Sequence, residues 1–110
     1  MEKNICKIKV GEEQGTGFFC EIPFPDKNNM LPVLITNNHV IKKELLYKKD
    51  EKISIKIKED EDFKKINLNS RMKYTDENYD VTIIEIQDKD EIKNYLELDD
   101  LIVDHLALQY

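Results

Sequence analysis

Apolar positions come in short runs along the chain, and several of these runs alternate with polar positions in steps of two. Residues 53–58, Ile-Ser-Ile-Lys-Ile-Lys, alternate throughout, which is typical of a strand with one buried face. Residues 81–86 are mostly β-branched and form the strongest predicted strand, whereas residues 31–36 are apolar on both faces and should be central. Six strands are predicted in all: residues 5–10, 15–22, 31–36, 53–58, 63–73 and 81–86.

Turn-forming residues separate these segments. Residues 23–29, Pro-Phe-Pro-Asp-Lys-Asn-Asn, predict a loop. Gly15 and Gly17 open the second strand, where glycine favours a bulge or a bend at the corner of a barrel. Lysines interrupt the first strand, residues 5–10, which predicts an edge strand. Short strands joined by turns favour an all-β fold, a small antiparallel six-stranded barrel or a sandwich.

The pattern changes after residue 87. Residues 88–91, Asp-Lys-Asp-Glu, resemble a helix N-cap with an acid three positions later. Apolar residues then follow at helical spacing: Ile92, Tyr95 and Leu96. Residues 90–98 are therefore predicted to form a short helix or an irregular connector. Residues 101–108 predict either a last strand or a segment that pairs with something else.

Composition limits the class of protein. With 110 residues, of which 40% are hydrophobic and 36% charged, the chain fits one small globular domain. The formal net charge is -6, and lysines are interleaved with acids along the sequence, which argues against a nucleic-acid partner. Arg71 is the only arginine, and this argues against bidentate recognition of phosphates or bases.

The sequence indicates neither secretion nor a membrane. No basic segment followed by an apolar one opens the chain, and no apolar run approaches the ~20 residues that span a bilayer. Cys6 and Cys20 do not make a disulfide framework and are predicted to be small buried hydrophobes. We therefore expect a reducing intracellular setting, such as the cytoplasm, and no membrane partner.

Two stretches carry candidate chemistry. Residues 33–41, Val-Leu-Ile-Thr-Asn-Asn-His-Val-Ile, begin in an apolar strand and place His39 in the short polar turn that follows it. Residues 78–86 place Asp80 directly before a strand rich in β-branched residues. Taken singly, such a histidine is often a structural residue, and such an aspartate is often a turn or cap residue. If the two stretches meet in space, the pair can act as a base and the acid that orients it.

Three blocks of sequence, in this order, resemble the N-terminal half of trypsin-like serine proteases. They are Gly15-Thr16-Gly17-Phe18, then Leu34-Ile35-Thr36-Asn37-Asn38-His39-Val40-Ile41, then Asp80-Val81-Thr82-Ile83-Ile84. The Thr-Asn-Asn-His-Val motif is most similar to that of the HtrA/Deg branch of the family. The resemblance covers residues 5–87.

The resemblance implies one lobe of the two-barrel trypsin-like fold. His39 would be the general base, and Asp80 would hold its imidazole in the right tautomer. Residues 1–87 would form the N-terminal barrel, and residues 88–110 would be a connector toward a missing second barrel. The completed pair of lobes would bind a polypeptide substrate in the cleft between them.

The nucleophile of that family is missing from this sequence. The family carries it in a Gly-x-Ser-Gly block that also supplies the oxyanion-hole amides, but the last glycine here is Gly17. The only serines are Ser54, inside an alternating strand, and Ser70, in a turn. The chain alone is therefore expected to be inactive. The alternative is a non-catalytic standalone barrel that binds proteins, or itself, through the apolar face left by the missing lobe.

Neither a metal nor a cofactor is expected. The residues that could ligate a metal, His39, His105, Cys6 and Cys20, show no recognisable ligand spacing. His105 lies far from any motif and is expected to be structural or exposed. The predicted site therefore consists of His39 and Asp80.

Overall fold

The strands of this protein surround one apolar core. The computed structural model describes residues 4–26, 28–57, 62–93 and 95–97. Their eight strands are β1 (Ile5–Val10), β2 (Glu13–Pro23), β3 (Met30–Thr36), β4 (Lys52–Ile57), β5 (Lys64–Asn67), β6 (Lys73–Asp76), β7 (Val81–Glu85) and β8 (Leu96–Glu97). The helical elements bounded within these ranges are α1 (Lys43–Leu46) and a 3-10 turn (Asp88–Asp90). The all-β prediction is confirmed.

Seven of the strands form one antiparallel sheet in the order β5-β4-β1-β2-β3-β7-β6. The sheet curls into a half-barrel around the core. The eighth strand, β8, pairs in parallel with the second half of β2, with Leu96 opposite Cys20 and Glu97 opposite Glu21. Because β2 is long, its first half pairs with β1 while its second half pairs with β3 and β8.

Period-two alternation places the core on the inner side of the sheet. In β1 the buried residues Cys6, Ile8 and Val10 alternate with exposed ones. Ile8 faces Ile55 on β4, and Ile53 on that strand faces Ile66 on β5. Fully buried aliphatic and aromatic side chains complete the core: Phe19, Leu34, Ile41, Leu46, Leu68 and Ile84. Burial of such side chains is the main driving force for this fold.

The strand count and the position of β1 differ from the sequence prediction. Residues 63–73 were predicted as one strand, but they contribute to two, β5 and β6, separated by a turn at Ser70 with φ of 60°. The sheet therefore has seven strands plus β8 rather than six. The prediction that β1 is an edge strand is wrong, because β1 lies between β4 and β2.

Residues 90–98 were predicted to form a short helix or an irregular connector, and their described part is an irregular connector that ends in β8. The 3-10 turn ends at Asp90, and the next residue, Glu91, has a left-handed φ of 58°; the chain then continues to β8. A capping box is present, but it joins Gln87 to Asp90 rather than starting at Asp88. The predicted strand at residues 101–108 lies outside the described residues. Among the helices within the described ranges, none has the length and apolar character that a membrane crossing requires.

Candidate active site

A tight turn at the end of β3 presents His39 to solvent. The main-chain carbonyl of Asn37 accepts hydrogen bonds from the N–H groups of Val40 (3.1 Å) and Ile41 (3.2 Å). Val40 and Ile41 are buried, whereas the side chain of His39 is 64% exposed. The apolar residues that follow the histidine therefore anchor the turn in the core while its ring stays accessible.

The glycine block of β2 packs directly under this turn. A Cβ atom added at Gly15 would overlap Cγ2 of Val40, so this close approach requires a residue without a side chain. One position along, the main-chain carbonyl of Thr16 accepts a 2.9 Å hydrogen bond from Oγ1 of Thr36. Gly15, which was predicted to bend a barrel corner, thus also makes room for Val40, the residue next to His39.

Asp80 approaches His39 from the turn that precedes β7. Its main-chain N–H donates to the carbonyl of Glu77 at 3.3 Å, and its φ of 52° is left-handed. Aspartate is among the few non-glycine residues that adopt this conformation at modest cost. The turn directs the carboxylate away from β7 and toward the end of β3.

His39 and Asp80 share two hydrogen bonds. Nδ1 of the His39 ring lies 2.8 Å from Oδ2 of Asp80, and the main-chain N–H of His39 donates to Oδ1 at 2.9 Å. These two bonds, the main-chain one first, lower the pKa of the Asp80 carboxyl below its ordinary value of 3.8. The carboxylate is therefore ionised at neutral pH, and Nδ1 of His39 is the donor in the bond between the side chains.

This arrangement leaves the other ring nitrogen of His39 available. With Nδ1 protonated, Nε2 of a neutral imidazole carries a lone pair that can accept a proton. The Asp80 side chain is 45% exposed, so the pair lies at the surface of this chain. The chemistry that the pair supports is general-base catalysis on a group brought close to Nε2.

Two asparagines beside His39 support the pair in ways that the sequence did not indicate. Nδ2 of Asn37 donates to the main-chain carbonyl of Asp80 at 3.2 Å and to Oδ2 at 3.3 Å. Nδ2 of Asn38 donates to Oγ1 of Thr75 on β6 at 2.7 Å. The sequence signal for both was their position, as two amide side chains directly before the histidine.

A pair of threonines continues this network into the sheet. Oγ1 of Thr75 and Oγ1 of Thr82 lie 2.6 Å apart, and Thr82, fully buried, donates to the carbonyl of Ile41 at 2.9 Å. The network therefore ties the turn that carries His39 to β6 and β7. The signal in the sequence was a polar residue inside an apolar strand, since a buried hydroxyl requires a partner.

None of the other candidate groups joins His39 among the described residues. Ser54 lies within β4 and Ser70 in the turn before β6, and neither hydroxyl bonds to His39 within the described ranges. Cys6 and Cys20 are free and buried, and burial raises their pKa values to about 12 and about 11, so both stay protonated thiols at neutral pH. No set of three metal-ligating side chains occurs in the part of the chain that the structure describes. His105 lies outside it.

Comparisons of the chain with protein-family models, with curated proteins and with solved structures found no match. The chemistry of this site is therefore inferred from its own residues: an exposed histidine, an ionised aspartate that orients it, and two asparagines that hold the turn.

Proposed function

We propose that this chain supplies the general base and its orienting acid to a trypsin-like serine endopeptidase of the HtrA/Deg type. The observation that carries the proposal is the 2.8 Å contact between Nδ1 of His39 and Oδ2 of Asp80. The two residues come from separate sequence blocks, 41 positions apart, and each block is one that the resemblance singles out. The remaining block of the resemblance, which begins at Gly15, packs against Val40 beside the histidine.

In the proposed reaction, a serine hydroxyl attacks the carbonyl carbon of a peptide bond. Nε2 of His39 removes the hydroxyl proton as the new bond forms and later donates that proton to the departing amine. Asp80 remains ionised throughout, since its role is to hold the tautomer of His39 and to stabilise the imidazolium. The serine and the oxyanion-hole amides come from a second barrel that this sequence does not contain.

Labelling with a serine-directed fluorophosphonate tests the proposal. The 110-residue chain alone should not be labelled, because both the nucleophile and the oxyanion hole are missing. The natural polypeptide or complex that contains the chain should be labelled at one serine. His39→Ala should abolish that labelling, whereas His105→Ala, a matched change at the other histidine, should leave it intact. Equal labelling of wild type and His39→Ala, or none of the natural form, would contradict the proposal.

A second candidate function is non-catalytic binding through the outer side of the sheet. It is favoured by an apolar groove of about 720 Å³ outside β3, β6 and β7, lined among others by Leu31, Met72 and Ile83. Exposed apolar surface of this kind marks interaction sites, and a second copy of the chain would cover it. Sedimentation velocity over a range of concentrations tests this candidate. Wild type should form dimers as its concentration rises, whereas Met72→Lys, at a residue that is 45% exposed, should remain monomeric. A wild-type monomer at every concentration would rule the candidate out.

A further inference from the structure

Lysines are collected on one outer face of the sheet. Each of the three strands β1, β4 and β5 carries two lysines and no acid. Residues directly opposite in an antiparallel pair point to the same side. Lys7 faces Lys56, Lys9 faces Ser54, and Ser54 faces Lys65. The four lysines named here, which we call the lysine face, therefore share the side opposite the core residue Ile8.

The charge of the lysine face is not neutralised by the rest of the described chain. Within the described ranges none of its four lysines forms an ion pair, although the whole sequence has 23 acids against 17 basic residues. Nζ of Lys9 and Nζ of Lys56 lie 5.9 and 6.0 Å from the centre of the Phe63 ring. Such cation–π contacts hold the ammonium groups in place but leave their charge unpaired.

Edge protection does not explain this arrangement. Lysines on an edge strand discourage pairing with other chains, and this explains Lys65 on β5. However, β1 and β4 are interior strands, and Lys7 faces Lys56 directly across them. Like charges that face each other destabilise a sheet. An anionic partner would remove that repulsion.

Three adjoining surface depressions extend from the lysine face to Asn37, beside the candidate active site. One depression is lined by Lys7, Lys9 and Phe63 among others, and a second by Lys7 and Lys56. A third depression, of about 400 Å³ and mainly apolar, reaches Asn37. Thr16 forms part of the wall of all three, so the depressions adjoin one another. Asn37 in turn is bonded to Asp80.

We propose that the lysine face binds an acidic polypeptide segment and that the substrates of this site carry Asp and Glu residues on one side of the cleaved bond. The substrate part of this inference rests on the proposed function, whereas the binding of an acidic segment does not. A peptide in extended conformation that follows these depressions would place its acids over Lys7 and Lys9, while its adjoining residues extend toward Asn37, which is hydrogen-bonded to Asp80.

A peptide fits this face better than a nucleic acid does. The net charge of -6 repels a long polyanion at a distance, whereas a short acidic segment interacts mainly with the local face. Arg71, the only arginine, is buried in an ion pair with Asp90 and cannot contact phosphates. Lysine ammonium groups bind carboxylates as point charges without needing the paired geometry of arginine.

Fluorescence anisotropy with a labelled peptide of alternating Asp and Glu residues tests the proposal. The full chain should bind this peptide, and the affinity should fall as the salt concentration rises. It should not bind a peptide of alternating Asn and Gln. Lys7→Gln combined with Lys9→Gln should weaken binding by about tenfold or more, which corresponds to about 1.4 kcal/mol. Lys48→Gln combined with Lys49→Gln, two exposed lysines in the turn after α1, is the matched control and should bind like wild type.

Several outcomes would overturn the proposal: no binding by wild type, equal loss in both lysine variants, equal binding of the neutral peptide, or tighter binding of a single-stranded oligonucleotide by the same lysines. Amide chemical-shift changes in wild type should centre on Lys7, Thr16 and Phe63, which keeps the test decisive if a variant misfolds. If wild type binds the acidic peptide but the natural polypeptide or complex shows no serine labelling, the result counts against the proposed function alone.

Discussion

His39 binds both carboxylate oxygens of Asp80, one through its main-chain N–H and the other through Nδ1 of its ring. The acid therefore fixes the position of the histidine backbone as well as the orientation of the imidazole. Two fixed points on one residue restrict the ring more than a single side-chain contact would. The pair is pre-organised by contacts within this chain.

Asp80→Asn should reverse the tautomer of His39. An asparagine amide that donates to Nδ1 would favour the proton on Nε2, which removes the lone pair that a general base needs. Nitrogen-15 NMR of the imidazole distinguishes the two tautomers directly. Asp62→Asn, at an exposed aspartate outside the site, is the control and should leave the His39 spectrum unchanged. An unchanged tautomer in Asp80→Asn would show that Asp80 does not set it.

The contribution of Asp80 to stability should depend on pH in a definite direction. Its pKa is lowered in the folded chain, first by the main-chain N–H of His39 and then by the ring, so protonation favours the unfolded chain. The stabilisation is therefore complete above the ordinary value of 3.8 and is lost as the pH falls through the lower folded-state value. Urea unfolding of wild type and Asp80→Asn should show a difference that narrows over this acidic window and with added salt.

Gly15→Ala should destabilise the fold and displace His39. The added Cβ overlaps Val40, and overpacking of this kind costs about 1–3 kcal/mol. Val40→Ala removes the methyl group that is struck, so the double variant should be more stable than the sum of the two single effects predicts. Urea unfolding measures the coupling, and the His39 ring resonances report the displacement.

Gly11→Ala is the control for this cycle. Its φ of 58° makes alanine unfavourable there, but no atom lies within 4 Å of the added Cβ. Gly11→Ala should therefore cost stability without any coupling to Val40→Ala and without moving the His39 resonances. Additive behaviour of Gly15→Ala with Val40→Ala would show that the two residues do not compete for the same space.

Asp90→Asn should lower the free energy of unfolding more than most single substitutions in this chain. Arg71 donates from Nη1 to Oδ2 of Asp90 at 2.7 Å and from Nη2 to Oδ1 at 3.3 Å, and the two side chains are 0% and 5% exposed. Removing one partner of a buried ion pair costs about 3–5 kcal/mol because the other charge stays buried. Asp88→Asn, at an exposed position of the same 3-10 turn, should change the free energy of unfolding by less than about 0.5 kcal/mol. Similar urea midpoints for the two variants would contradict this.

Strands could be predicted from the sequence where the local pattern of apolar residues agrees with the side of the strand that the core buries. Alternation in residues 53–58 gave β4, and the β-branched run from Val81 gave β7, because each strand needs one apolar side for the core. The order of the three sequence blocks also led to His39 and Asp80, which the structure brings within hydrogen-bonding distance.

The failures occurred where a residue's neighbours come from distant parts of the chain. The lysines of β1 predicted an edge strand, but β4 pairs with β1 and makes it interior. The helical spacing of Ile92, Tyr95 and Leu96 did not produce a helix, because Leu96 pairs with Cys20, on the half of β2 that lies beyond β1. The bonds from Asn37 and Asn38 depend on where the turn before β7 and strand β6 lie, which no local pattern reveals.

By itself the sequence determined that the chain is all-β and which stretches carry a histidine and an aspartate able to work together. These conclusions depend on side-chain alternation and on residue type, both of which are local. Only the tertiary structure decided that Asp80 reaches both the ring and the main chain of His39, and that lysines interleaved with acids along the chain gather on one face. The reason is that strand register, set by burial of the common core, determines which distant residues become neighbours.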